Sequence, residues 1–132
     1  MTTHTFPYEY IDSSKFSRPI IPVTLKHQDK HLTSYALLDS GADFCLFNGE
    51  ISYILDIDLT RLEKTRLAGI NGSAEGYIAH LEIGVNRSLH PVPVIFSFDF
   101  APNGFSGLVG QIGFFDAFAI TFDRANKRIV LQ

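Results

Sequence analysis

Two hydrophobic runs in the first third of the chain predict a β-hairpin. Residues 20–27 and 31–38 are rich in strand-forming residues and flank the turn Gln28-Asp29-Lys30. Before them, residues 1–19 are polar with alternating aromatic residues, which predicts an N-terminal edge or docking strand. The second run of the hairpin leads directly into Asp39, so the hairpin delivers a carboxylate to the end of a strand.

The rest of the chain continues this pattern of strands and turns. Strand-like arms at residues 64–68 and 73–85 flank a glycine-bearing tip, which predicts a second hairpin. Further short strands are predicted at residues 44–47, 91–98, 107–110, 120–122 and 128–131, the last two as a closing hairpin.

Two short helices are predicted between the strands. Asn48 precedes an apolar face formed by Ile51, Ile54 and Leu55, which predicts a capped helix of about two turns. Residues 111–118 predict a second short helix. At 132 residues the chain is expected to be a single, mainly β domain, with an N-terminal arm at 1–19 and a core at 20–131.

Composition narrows the classes of partner and location. The net charge of −3 and the absence of a basic stripe argue against a nucleic-acid partner. No apolar run reaches the length of about 18 residues that a membrane span needs, so no membrane partner is expected. The single cysteine and the lack of a positively charged leader favour a cytoplasmic location.

The segment from Leu37 to Asp43 carries the main candidate chemistry. It joins an apolar strand to the tripeptide Asp-Ser-Gly. Because a carboxylate beside apolar residues is costly, Asp39 is a candidate acid at the floor of a cleft. An ordinary turn aspartate that accepts hydrogen bonds from its own backbone is the alternative. These seven residues alone leave both interpretations open.

Other nucleophile, metal and phosphate patterns are incomplete. Cys45 has no suitably placed histidine and is expected in the core. His27 and His31 flank a predicted turn without a third ligand nearby, so no metal site is expected. The glycines between residues 104 and 113 lack the phosphate-loop signature. We therefore expect no cofactor.

Four features occur in a fixed order along the chain. They are Leu-Leu-Asp-Ser-Gly-Ala-Asp at 37–43, Gly-Ile-Asn-Gly at 69–72, Leu-Val-Gly at 108–110, and a helix followed by a terminal strand. Together they resemble the retropepsin-like aspartic peptidases, single-domain relatives of pepsin, over about residues 20–131. The resemblance implies a mainly β, closed barrel-like acid-protease fold with a flap hairpin and two short helices.

The resemblance implies roles for the catalytic loop. Asp39 takes the place of the catalytic aspartate, and Ser40 that of the hydroxyl residue that braces the loops of two subunits. Gly41 would allow the loop to turn and would place its carbonyl near the substrate backbone. Asp43 would help to fix the loop and could contact substrate.

The resemblance also implies a flap that covers the bound peptide, a set of side-chain pockets and a segment that supports the catalytic loop. The flap tip would be formed by Gly69, Ile70, Asn71 and Gly72. The side-chain pockets would be lined by Leu37, Ala42, Ile70, Phe105, Ser106 and Leu108. The segment that includes Val109 and Gly110 would pack beneath the catalytic loop.

The chain departs from the family's pattern in two segments. Gln111 and Ile112 stand where retroviral members have Arg followed by Asn or Asp, so an ion pair from this position to Asp43 is lost, although Gln111 can still donate a hydrogen bond. Asn71 stands where glycine is common, and Asn tolerates left-handed backbone conformations.

The chain carries one Asp-Ser-Gly, whereas aspartic peptidase chemistry uses two carboxylates. The resemblance therefore implies a homodimer that hydrolyses polypeptides, with Asp39 contributed by each chain. The alternative is a peptide-binding or dimerisation module that keeps the fold but cleaves little.

Overall fold

The computed structural model describes residues 2–11, 15–69 and 72–132, which form a mainly β protein. Within these ranges no helix is long and apolar enough to span a membrane. The strands are β1 (His4–Pro7), β2 (Ile20–His27), β3 (Lys30–Leu38), β4 (Cys45–Asn48), β5 (Glu63–Gly69), β6 (Gly72–Val85), β7 (Ser88–Ser97), β8 (Gly107–Val109), β9 (Ile120–Asp123) and β10 (Arg128–Leu131).

Six strands close into a barrel. Their order is β2-β3-β8-β4-β7-β6, and pairing between β6 and β2 completes the circuit. Strand β5 pairs with β6 and extends outside this circuit. The short strand β8 runs parallel to β3 and antiparallel to β4. This architecture confirms the predicted mainly β, closed barrel-like fold.

Alternating burial along the strands places one face of each strand inside the barrel. On β2, Ile21, Val23 and Leu25 have no exposed surface, while the residues between them are partly exposed. The largest buried side chains include Phe47 of β4 and Phe96 of β7, which pair in parallel register. The barrel interior is therefore a filled hydrophobic core.

The N-terminal arm docks outside the barrel, against the C-terminal hairpin. Strand β1 pairs with β10, and β10 pairs with β9, in a three-stranded sheet. Pro7 lies at the end of β1, as expected of an edge strand. Asp123 holds the turn of the hairpin by accepting hydrogen bonds from Asn126 and Arg128. These bonds, those from Asn126 above all, lower the pKa of the Asp123 carboxyl. The predicted edge strand and closing hairpin are both confirmed.

The first predicted helix is shorter than expected. Helix α1 spans only Ile51–Ile54, and the chain reverses at Asp56, whose φ is +55°. The predicted Asn48 cap is wrong, because the N-cap position is Glu50, which makes no side-chain cap bond. Asn48 lies two residues earlier, and its Oδ1 accepts a hydrogen bond from the Glu50 N–H at 2.9 Å. A single 3₁₀ turn follows at Leu59–Arg61, where only a polar connection was predicted.

The second predicted helix, at residues 111–118, is wrong as a regular helix. Gln111–Phe115 forms a wide turn that is interrupted by non-helical backbone at Ile112 and Gly113. Gly113 has φ +92°, and a methyl group there would lie 2.6 Å from Cγ1 of Val92. Close packing against β7 therefore selects this turn over a helix.

We expect Phe47→Ala to lower the free energy of unfolding by about 3–5 kcal/mol, because it opens a cavity in a filled core. Urea unfolding followed by circular dichroism measures this change. Phe122→Ala is the matched control: Phe122 is 39% exposed on β9, so its loss should cost less than about 1 kcal/mol. Equal costs for the two variants would contradict the proposed core.

Candidate active site

Asp39 lies at the point where β3 leaves the barrel. Its N–H donates to the Val109 carbonyl at 3.0 Å, and its half-buried side chain turns back on the loop. The Gly41 N–H donates to Asp39 Oδ1 at 2.9 Å, and the Ala42 N–H donates to the Asp39 carbonyl at 3.2 Å. The structure thus shows the turn aspartate that accepts a hydrogen bond from its own backbone. A place for Asp39 at the floor of a cleft stays a prediction, because Asp39 lines neither of the two clefts described below.

Backbone hydrogen bonds join this loop to the chain that follows β8. The Gln111 N–H donates to the Ala42 carbonyl at 2.9 Å, and the Ile112 N–H donates to the Asp43 carbonyl at 2.7 Å. Gly110 makes this approach possible, since a methyl group there would lie 2.5 Å from the Ala42 carbonyl oxygen. Such a contact is too short for any side chain, so glycine is required at this position.

Gln111 also braces the loop through its side chain. Its Nε2 donates to the Ser40 carbonyl oxygen at 2.8 Å. The hydrogen bond that Gln111 was predicted to retain is therefore made to the backbone of the Asp-Ser-Gly tripeptide. The side chains of Ser40 and Asp43 are exposed.

A cleft of about 410 Å³ lies between β5 and the loop that follows Asp39. Asp39 itself is not among its lining residues. The cleft brings together three of the predicted site residues, Ala42, Asp43 and Leu108. The other lining residues were missed from the sequence: Phe44, Leu46, Thr65, Arg66, Leu67 and Ile95. Phe44 and Leu46 alternate with the buried Cys45 and Phe47, a pattern that could have revealed them.

Three other predicted pocket residues, Leu37, Phe105 and Ser106, lie outside this cleft. Phe105 and Ser106 line a separate cleft of about 290 Å³ beside α1. The Ser106 hydroxyl forms a 2.6 Å hydrogen bond with that of Ser34 on β3. Leu37 lines neither of these two clefts and is half-buried on β3, in register with Leu108 of β8.

The predicted hairpin tip is only partly described. Gly69 is the last residue of β5 and Gly72 the first of β6, and the two pair in the antiparallel register. Ile70 and Asn71 lie outside the described residues. The hairpin itself is confirmed, and the role of its tip as a flap stays a prediction.

Cys45 does not offer an alternative nucleophile. It lies fully buried on β4, as predicted. Burial raises the pKa of its thiol to about 11, which outweighs hydrogen bonds from the Gly110 and Phe114 backbone. The thiol is therefore protonated at neutral pH, whereas the reactive form of cysteine is the thiolate.

No protein-family model matches the chain, and no curated protein matches it by sequence. By structure, the chain is similar to a retropepsin-like aspartic protease from Rickettsia conorii, with a TM-score of 0.68 over 98% of this chain and 91% of that chain. The chain has the retropepsin-like fold. Because the two sequences are only 15% identical, the similarity establishes the architecture and leaves the reaction to be tested.

We expect Gly110→Ala to destabilise the retropepsin-like fold by about 1–3 kcal/mol, because a methyl group would collide with backbone oxygens that cannot move independently. Thermal and urea unfolding measure this cost. Gly49→Ala is the matched control, since the three atoms nearest to its methyl group would all belong to the ring of Phe98, a side chain that is 47% exposed and has room to move. A Gly110 variant as stable as the Gly49 variant would show that the close approach is not required.

Proposed function

We propose that this protein is a homodimeric aspartic endopeptidase in which two copies of Asp39, one from each chain, activate water to hydrolyse a peptide bond. The observation that carries this proposal is the Asp39 carboxylate at the end of β3, held by the Gly41 N–H on a loop fastened to the chain after β8. The retropepsin-like fold supports it, since the architecture matches that of an aspartic protease.

The chemistry requires two carboxylates, and the chain carries one Asp-Ser-Gly. Two facing acids share one proton, because like charges in contact cannot both ionise. The ionised acid takes a proton from water, whose oxygen attacks the scissile carbonyl carbon, while the protonated acid donates to the carbonyl oxygen. As the tetrahedral intermediate collapses, the C–N bond breaks and the departing amine takes the proton that the first acid removed from water, while the second acid regains its proton from the hydroxyl that becomes the product carbonyl. A second chain therefore completes the site.

The cleft beside the catalytic loop suits an extended peptide with apolar side chains. Most of its lining is apolar, contributed by Ala42, Phe44, Leu46, Leu67, Ile95 and Leu108. Thr65, Arg66 and Asp43 add polar groups to the same lining. We therefore propose polypeptide substrates with apolar residues beside the scissile bond, covered by the β5–β6 hairpin acting as a flap.

The loop also presents groups that a partner and a substrate could use. The Ser40 side chain is exposed in the single chain, which leaves it free to brace the same loop of a second copy. Within the described ranges, no residue donates a hydrogen bond to the Gly41 carbonyl, so this oxygen could accept one from the substrate backbone.

We expect Asp39→Asn to reduce hydrolysis of an unfolded protein substrate by at least about 100-fold between about pH 3 and pH 7, because an amide cannot exchange the proton. Circular dichroism and sedimentation should show an unchanged fold and an unchanged dimer. Asp29→Asn, in the exposed β2–β3 turn, is the matched control and should keep full activity.

Three outcomes would count against the proposal. Equal hydrolysis by the Asp39 variant would place the chemistry elsewhere. A wild-type protein that sediments only as a monomer and cleaves nothing would exclude the assembled dyad. Peptide binding without turnover in both proteins would support the alternative of a binding module.

A further inference from the structure

The peptide group between Ser40 and Gly41 lies between two side chains. Its carbonyl oxygen accepts a hydrogen bond from Gln111 Nε2 at 2.8 Å, and its N–H donates to Asp39 Oδ1 at 2.9 Å. A trans peptide group is planar, so its C=O and N–H point in opposite directions and turn together. A hydrogen bond at the oxygen therefore fixes the direction in which the N–H points.

We infer that Gln111 is a positioning residue for Asp39, acting through this peptide group. The side-chain amide orients the Gly41 N–H toward the carboxylate and, by polarising the peptide group, makes that N–H a stronger donor. The orienting role follows from the hydrogen bonds alone. Its consequence for turnover rests on the proposed function, in which Asp39 must face a second carboxylate across a dimer.

The backbone of Gln111 is well placed for this role. Its own N–H is bonded to Ala42 in the same loop, and the next residue, Ile112, is bonded to Asp43. The side chain therefore starts from a backbone already fastened to the loop that it braces. Its amide is neutral, so it orients the carboxylate without adding a positive charge beside the acid pair.

The effect on rate should be modest, because the Gln111 side chain is exposed and water competes for the same groups. Loss of one such hydrogen bond corresponds to a fall in kcat of about three- to tenfold. A group that only orients Asp39, without contacting substrate, should leave KM within about twofold.

The direct test compares Gln111→Met with the wild-type protein. Methionine has a similar length and no N–H donor, and the backbone bond to Ala42 is kept. We expect the Gly41 amide proton to move upfield in the NMR spectrum and to exchange with solvent faster, together with the fall in kcat. Gln28→Met, which replaces an exposed glutamine in the β2–β3 turn, is the matched control and should change none of these three quantities.

A second variant, Gln111→Glu, separates positioning from a merely structural role through its pH dependence. The introduced carboxyl can donate to the Ser40 carbonyl only when it is protonated. The ratio of variant to wild-type kcat should therefore rise toward one as the pH falls through about 4.3, the ordinary pKa of a glutamate side chain. A ratio that does not vary with pH would show that turnover does not depend on a donor to the Ser40 carbonyl, and would overturn the positioning role.

The two proposals fail in distinguishable ways. An unchanged Gly41 amide signal in folded Gln111→Met would overturn the positioning role, whether or not the protein cleaves peptides. A displaced amide signal in a protein that shows no cleavage would support the orienting role and reject the peptidase. A raised KM with unchanged kcat would overturn the assignment of Gln111 as a positioning residue for the reaction.

Discussion

The site depends on one close approach of backbone to backbone, between Gly110 and the loop that follows β3. At this point a side chain would press on the carbonyl oxygens of Ala42 and Phe44, so only glycine lets β8 lie directly beneath the loop. The following N–H groups, of Gln111 and Ile112, then satisfy loop carbonyls. A loop whose carbonyls are bonded to a closed barrel can hold a carboxylate in a fixed direction, as acid–base chemistry requires.

Local parts of this fold could be read from the sequence, and non-local parts could not. The β2–β3 and β5–β6 hairpins follow from alternating residues around a turn, because both strands lie close together in the chain. The parallel pairing of β3 with β8 joins residues about seventy positions apart, and no periodicity specifies it. The irregular turn around Gly113 was missed for the same reason, since its conformation is set by contact with Val92 of β7.

The candidate site likewise combines residues that a local sequence pattern indicates with contacts that only the folded chain creates. Asp39 could be named as a candidate because Asp-Ser-Gly after an apolar strand is a local pattern, and Ala42 and Leu108 do reach the cleft beside the loop. Phe105 lines a different cleft, because its position depends on how the chain before β8 packs against α1. The bond from Gln111 to the Ser40 carbonyl depends on a side-chain conformation within folded surroundings, so sequence could indicate a donor but not its acceptor.

The central claim is that a single chain supplies half of a catalytic pair. The most direct measurement is the distance between the Asp39 carboxylate oxygens of two chains in a crystal structure of the assembled protein. The account predicts a two-fold axis between the catalytic loops, with the nearest oxygens at a hydrogen-bonding distance of about 2.5–3.0 Å. Carboxylates too far apart to share a proton or one water molecule, in every pair of chains, would contradict it.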